Sequence, residues 1–131
     1  MKGRIDLIKT YNKGRAQRLA TNFKLTEFDC KGRGCCAFTL VDEKLVEYLQ
    51  QIREYFNAPV IINSGYRCPK HNSNVGGAAQ SQHMKGKAAD IVVKGVSPRQ
   101  VAAFAEKIGV NGIGIYSTFT HIDTRTVKAR W

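Results

Sequence analysis

The stretch SQHMKGKAADIVVK, residues 81–94, changes character part-way along. Its second half is an apolar, β-branched run and reads as a strand opened by Asp90. Its first half is polar and places His83 seven residues before Asp90, with Gly86 and Ala88 between. Small residues let such a loop turn tightly, so that both side chains can reach back to one point. In the strand, Asp90 and Val92 face one way and Ile91 and Val93 the other. Asp90 therefore sits at the mouth of its strand, next to the loop that carries His83. A second histidine follows in THIDTR, residues 120–125. Read as a strand, this segment puts His121, Asp123 and Arg125 on one face and Ile122 and Thr124 on the other. If the two strands are neighbours, His83, Asp90 and His121 converge. Two histidines and a carboxylate leave a fourth position for water, which is the donor set of a catalytic zinc site. Each residue taken alone also reads as ordinary surface or turn polarity. Spacing by itself leaves both readings open.

Working outward, Leu45, Leu49, Ile52 and Phe56 recur on one face of an amphipathic helix over residues 42–56. Asp42 or Thr39 is a candidate cap, and Asn57 with Pro59 ends the helix. Residues 59–63, PVIIN, read as a buried strand. A long Gly-containing stretch of little periodicity, residues 64–87, reads as a functional loop. Ser97 and Pro98 start a second helix carrying Val101, Phe104, Ala105 and Ile108, and Gly109 stops it. GIGIY, residues 112–116, and the His121 segment read as two strands of an antiparallel hairpin. The expected fold class is α+β, with two helices packed on a mostly antiparallel sheet of at least four strands. Residues 1–22 are polar and basic, and read as a mobile or lightly attached arm before a domain over residues 23–131.

The 131 residues suit one domain. Net charge is +11, from 21 Lys and Arg against 10 Asp and Glu. Such a charge attracts polyanions such as nucleic acid, anionic wall polymer or membrane surface, without choosing among them. No apolar run is long enough to span a membrane. The first residues lack the apolar run of a secretory signal, so none is expected.

Cys30, Cys35 and Cys36 lie close together, and Cys68 follows in GYRCPKHN. Their spacing is not that of a standard zinc ribbon. Reduced thiols are the default without a signal peptide. A disulfide with two free thiols and a Cys-rich zinc knot stay open.

The ordered set SGYRCPKHN, SQHMKGKAAD and GIGIY with THIDTR resembles the zinc D-alanyl-D-alanine carboxypeptidase family of the Hedgehog/DD-peptidase superfamily. The pattern S-x-H-x-x-G-x-A-x-D matches at Ser81, His83, Gly86, Ala88 and Asp90. The likeness covers roughly residues 23–131, including the terminal ARW. It implies a Zn²⁺ peptidase acting on peptidoglycan stem peptides, with His83, Asp90 and His121 as ligands. Arg67 matches the arginine that faces the substrate carboxylate or the developing oxyanion, a task suited to a bidentate guanidinium. One departure stands out. Where many members carry an acid three residues before the last histidine, this chain has Thr118. Asp123 is then the candidate general base; it is equally a partner for orienting His121 or for pairing with Arg125. Ser81 and Tyr116 are candidates for substrate contact, and His71 for the pocket wall.

The leading expectation is a carboxypeptidase or cross-bridge endopeptidase of the bacterial wall, for example a phage lysin made in the cytoplasm, whose basic surface holds it to anionic wall polymers. The alternative is a zinc-containing, non-catalytic wall-binding module of the same fold, favoured by Thr118. Specific nucleic-acid binding ranks last, because the chain lacks interleaved aromatics or a reading element.

Overall fold

The structure, a computed structural model, describes residues 7–131. Strand β1 (Ile8–Asn12) pairs antiparallel with β4 (Phe38–Asp42), and the short β2 (Arg18–Ala20) pairs with β3 (Phe23–Lys24). The segment read as an arm thus contains the two strands Ile8–Asn12 and Arg18–Ala20, and residues 1–6 of it lie outside the described residues. Its few apolar groups explain the attachment: Tyr11, Leu19 and Ala20 pack against the core. Phe23, Leu25 and Phe28 follow and are almost fully buried.

Helix α1 spans Glu43–Phe56. The Asp42 carboxylate caps it by accepting from the Lys44 N–H, which satisfies one of the donors a helix start leaves orphaned. Asn57, in the left-handed conformation at φ 49°, closes it. Leu45, Leu49 and Ile52 are buried, and each contributes about 1.5–3 kcal/mol by leaving water. Helix α3 (Pro98–Lys107) starts with the expected Ser97 cap, completed by the Gln100 side chain reaching back to the Ser97 N–H.

The main sheet contains β5 (Val60–Ser64), β6 (Ala88–Val93), β7 (Gly112–Ile115), β8 (Thr120–Asp123) and β9 (Ala129–Arg130), in the order β5-β6-β8-β7-β9. Every pairing is antiparallel except β7 with β9. The α+β expectation holds. Ala89, Ile91, Ile113 and Ile122 enter the same buried core as α1 and α3. The opposite face of the three central strands carries Asp90, His121 and Asp123.

The long loop before β6 is partly helical. Helix α2 (Pro69–Asn74) begins at Cys68, whose sulfur accepts from the His71 N–H, and a single 3-10 turn covers Gln82–Lys85. Six residues are too few to display periodicity, and Pro69 is the one local signal of this helix. Gly86 ends the turn at φ 75°. A Cβ there would strike the Leu40 backbone at 2.6 Å, so glycine is required both by conformation and by space.

Candidate active site

Register builds the site. Asp90 on β6 lies opposite His121 on β8, and Ala88 lies opposite Asp123. The turn before β6 delivers His83 to the same point. Candidate donor atoms of His83, Asp90 and His121 all lie within 4.8 Å of one another, and all three residues are buried. Asp90 Oδ1 is 2.9 Å from His121 Nδ1 and 3.3 Å from His83 Nε2.

Each imidazole is oriented from behind. His83 Nδ1 donates to the Gly65 carbonyl at 2.7 Å, which leaves the Nε2 lone pair facing inward. That atom is buried and has no hydrogen-bond partner among the described residues, despite its nearness to Asp90. A buried polar atom left unpaired is costly, unless a ligand completes it. His121 Nε2 donates to Asp123 Oδ2 at 2.7 Å, so Nδ1 is the atom presented to the site. One histidine backed by a carbonyl and one by a carboxylate, around an orphaned nitrogen, fit a metal such as zinc.

Asp123 is fully buried. Its Oδ1 accepts from the N–H and Nε of Arg125, and its Oδ2 accepts from Arg125 Nη2 and His121. Both oxygens are engaged and neither reaches the cleft. These contacts are the geometry of the other two roles weighed for Asp123, orienting His121 and pairing with Arg125. Burial opposes charge on Asp90 and Asp123, yet the neighbouring His121 and His83 rings at Asp90 hold it well below the usual carboxylate range. His121 and Arg125 do the same at Asp123. Burial would lower His121, but its bonds to Asp123 and Asp90 prevail and raise it.

The three residues floor a cleft of about 630 Å³. Arg67 lines it, held by Ser64 Oγ at 3.1 Å, by Asn72 Oδ1 at 3.0 Å and beside Asp90 at 3.4 Å. Ser81 and Tyr116 line it too. The Ser81 hydroxyl also accepts from the His83 N–H, which caps the turn. Thr118 is exposed and is absent from the cleft wall, as is His71, which instead borders Gly32 and Cys68. Among the described lining residues Asp90 is the sole carboxylate.

Three contributors escaped sequence reading. Trp131 lies with its ring 5.0 Å from that of His121 and donates from Nε1 to the Tyr116 hydroxyl at 2.7 Å. Gly112 and Gly114 sit across from Asp123 and His121 on β7. A Cβ on Gly112 would collide with the Asp123 carboxylate, and one on Gly114 with the Trp131 ring. The alternation G-x-G inside a strand was the available signal, because glycine there marks close approach.

The sequence model of the family described as peptidase M15 matches residues 21–123. The chain belongs to the peptidase M15 family. The resemblance read from its motifs is thereby borne out. It is 37% identical over 79 residues to the probable peptidoglycan L,D-endopeptidase MepK of Haemophilus influenzae, covering 55% of this chain and 42% of that protein. It is 31% identical over 93 residues to the peptidoglycan L,D-endopeptidase MepK of Escherichia coli K12, covering 64% and 51% respectively. A 33-residue segment is 54% identical to the zinc D-Ala-D-Ala carboxypeptidase of Streptomyces albus G, covering 25% and 13%. The chain thus spans about half the length, or less, of these curated relatives. No helix among the described residues is long and apolar enough to cross a membrane.

Proposed function

We propose that this M15 chain is a zinc-dependent peptidase that hydrolyses D-amino-acid-containing peptides of bacterial peptidoglycan. The observation that carries the reading is the unpaired, buried His83 Nε2 aimed at Asp90 and His121 on the floor of an arginine-flanked cleft. The names of the peptidoglycan endopeptidases and the zinc carboxypeptidase to which the chain is similar support the substrate class. Cutting at a free carboxyl terminus or within a cross-bridge are both compatible with an open cleft.

His83 Nε2, Asp90 and His121 Nδ1 would hold the zinc. When bound, it would supply Lewis acidity at the scissile carbonyl and bring a water's pKa toward neutrality. The chain's own groups prepare that chemistry. Gly65 and Asp123 fix the two histidine tautomers, so that the correct lone pairs face inward. Arg67, immobilised by Ser64 and Asn72, presents its guanidinium to a substrate carboxylate or to charge growing on the carbonyl oxygen. Ser81 and Tyr116 offer hydroxyls along the wall. Asp123 acts through His121 as a positioning residue. The basic surface would favour residence on anionic wall polymers, as a lysin requires.

A second reading is a wall-binding module that holds zinc without cleaving. It is favoured by the cleft wall, whose described residues include no carboxylate other than Asp90. One experiment separates the two. Purified protein is assayed for bound zinc and for release of D-alanine or cleaved stem peptides from peptidoglycan, with and without chelator. The peptidase reading expects zinc and chelator-sensitive cleavage. Zinc without cleavage selects the binding module, and failure of the His83–Asp90–His121 set to take up zinc excludes both.

A further inference from the structure

Next to Arg67 along the chain, at Cys68, the four cysteines meet. Cys30, Cys35 and Cys36 come from the irregular segment between Phe28 and β4, and Cys68 comes from the start of α2. Their sulfurs all lie within 4.8 Å of one another. Four of the separations are 3.7 Å for Cys30–Cys35, 3.9 Å for Cys30–Cys68, 3.9 Å for Cys35–Cys36 and 3.2 Å for Cys35–Cys68. A tetrahedron with zinc–sulfur bonds of about 2.3 Å has edges of about 3.8 Å. A disulfide needs about 2.05 Å, and would leave two thiols behind. All four cysteines are free here.

We propose that Cys30, Cys35, Cys36 and Cys68 form a second, structural zinc site that clamps the loop before β4 onto the segment bearing Arg67. Closed four-sulfur sites are the structural class of zinc centre, with no position left for water. Soft thiolates in tetrahedral array select this metal or iron. Zinc entry displaces four thiol protons and leaves the centre with a net charge of −2, which the surroundings must balance. Lys13 Nζ lies 4.0 Å from Cys36 Sγ and 3.1 Å from the Gly32 carbonyl oxygen. The His71 N–H donates to Cys68 Sγ at 3.4 Å. Lys31 and Arg33 add positive charge on the same loop.

The loop itself is shaped for the cluster. A Cβ on Gly32 would stand 2.5 Å from Cys35 Sγ, so the chain has cleared space for that sulfur. Gly34 takes φ 61°, a conformation costly to other residues. Between Asp29 and Ala37 the loop has no large apolar side chain to bury, and among the described residues the apolar groups packed with the cysteines are Tyr66 and Leu40. A hydrophobic anchor is missing where a metal would supply one. The consequence for the cleft is direct, because Tyr66 and Cys68 bracket Arg67.

The test uses the full chain, produced with zinc supplied and kept reduced. A His83→Ala/His121→Ala double variant removes the first candidate site, so any remaining zinc reports the cysteines. One zinc per chain is expected there. Exchange for cobalt should give strong sulfur-to-metal charge-transfer absorption in the near ultraviolet. Should that variant fold poorly, titration of the unaltered chain with an organomercurial serves instead, since it should release one zinc as four thiols react. A double variant with no zinc and four freely reactive thiols overturns the site. So does a mass two hydrogens short, which marks a disulfide, and so does iron in place of zinc. These readouts are independent of cleavage, so the cysteine site can fail while the peptidase reading stands, and the reverse.

Discussion

The two clusters flanking Arg67 are built on opposite plans. Asp90 and His121 stand opposite each other on paired strands, where register sets which side chains meet, and with His83 they open onto a cleft. The cysteines stand on a loop and a helix start, where they meet one another, Tyr66 and Leu40, with Lys13 and the His71 N–H beside them. The first arrangement is pre-formed by the sheet and keeps a face free for a substrate. The second has little beneath it to hold its shape, and gains by being closed. A rigid support suits chemistry, whereas a closed four-point clamp suits a loop with no core of its own.

The two clusters should respond differently to substitution, most of all at the histidines. His121→Ala should bring peptide cleavage to the uncatalysed background while zinc at the cysteines persists; metal analysis and a stem-peptide assay read both. Arg67→Ala should lower cleavage by about 10²-fold with zinc content unchanged at both sites, as expected for loss of one charge-stabilising donor. Asp123→Asn should weaken zinc binding at the histidine site about 10–100-fold, the usual cost of losing a ligand's supporting hydrogen bond. Competition with a chromophoric chelator measures it. If Asp123→Asn instead abolished cleavage with zinc affinity intact, the carboxylate would act on the reaction itself.

A fourth prediction sharpens the contrast in stability. Cys30→Ser with Cys36→Ser should lower Tm by roughly 10 °C, the shift expected for a loss of a few kcal/mol in a domain of this size. Cleavage per folded molecule at a permissive temperature should change less than in any of the histidine-site variants.

The smallest effect is in pH. In the metal-free chain, Asp90 and Asp123 are depressed, so their stabilisation is full above about pH 4 and fades as pH falls toward their lowered values. His121 is raised, so its stabilisation is full below about pH 6.5 and is lost as pH rises through its elevated value. Zinc must displace that proton. The rise in Tm on adding zinc to the Cys30→Ser/Cys36→Ser variant should therefore grow from about pH 6 to about pH 8. A flat response in thermal melts would show that His121 does not bind the metal.

Much of this was legible in the sequence, for physical reasons. The α1 stripe and the Ser97-Pro98 start are local codes, read without knowing the rest of the chain. The alternation of HIDTR put His121 and Asp123 on one face, and the small residues around Gly86 allowed His83 to turn back. What escaped reading depended on partners far along the chain. Tyr11 and Leu19 are too sparse among charges to announce strands, yet they find a core beside α1. The contacts of Asp123 depend on Gly112, which leaves it room, and on Arg125, which occupies its oxygens. The cysteines gave no standard spacing because Cys68 joins the other three only after β5 and α2 have folded.

Trp131 has a further consequence. It is the chain's single tryptophan, and its ring lies 5.0 Å from His121 and 5.0 Å from the Arg125 guanidinium. Charge beside an aromatic ring perturbs its electrons. Exchange of a proton for a metal on that imidazole should therefore register in the protein's own ultraviolet emission, giving the molecule a built-in optical gauge of what its cleft contains.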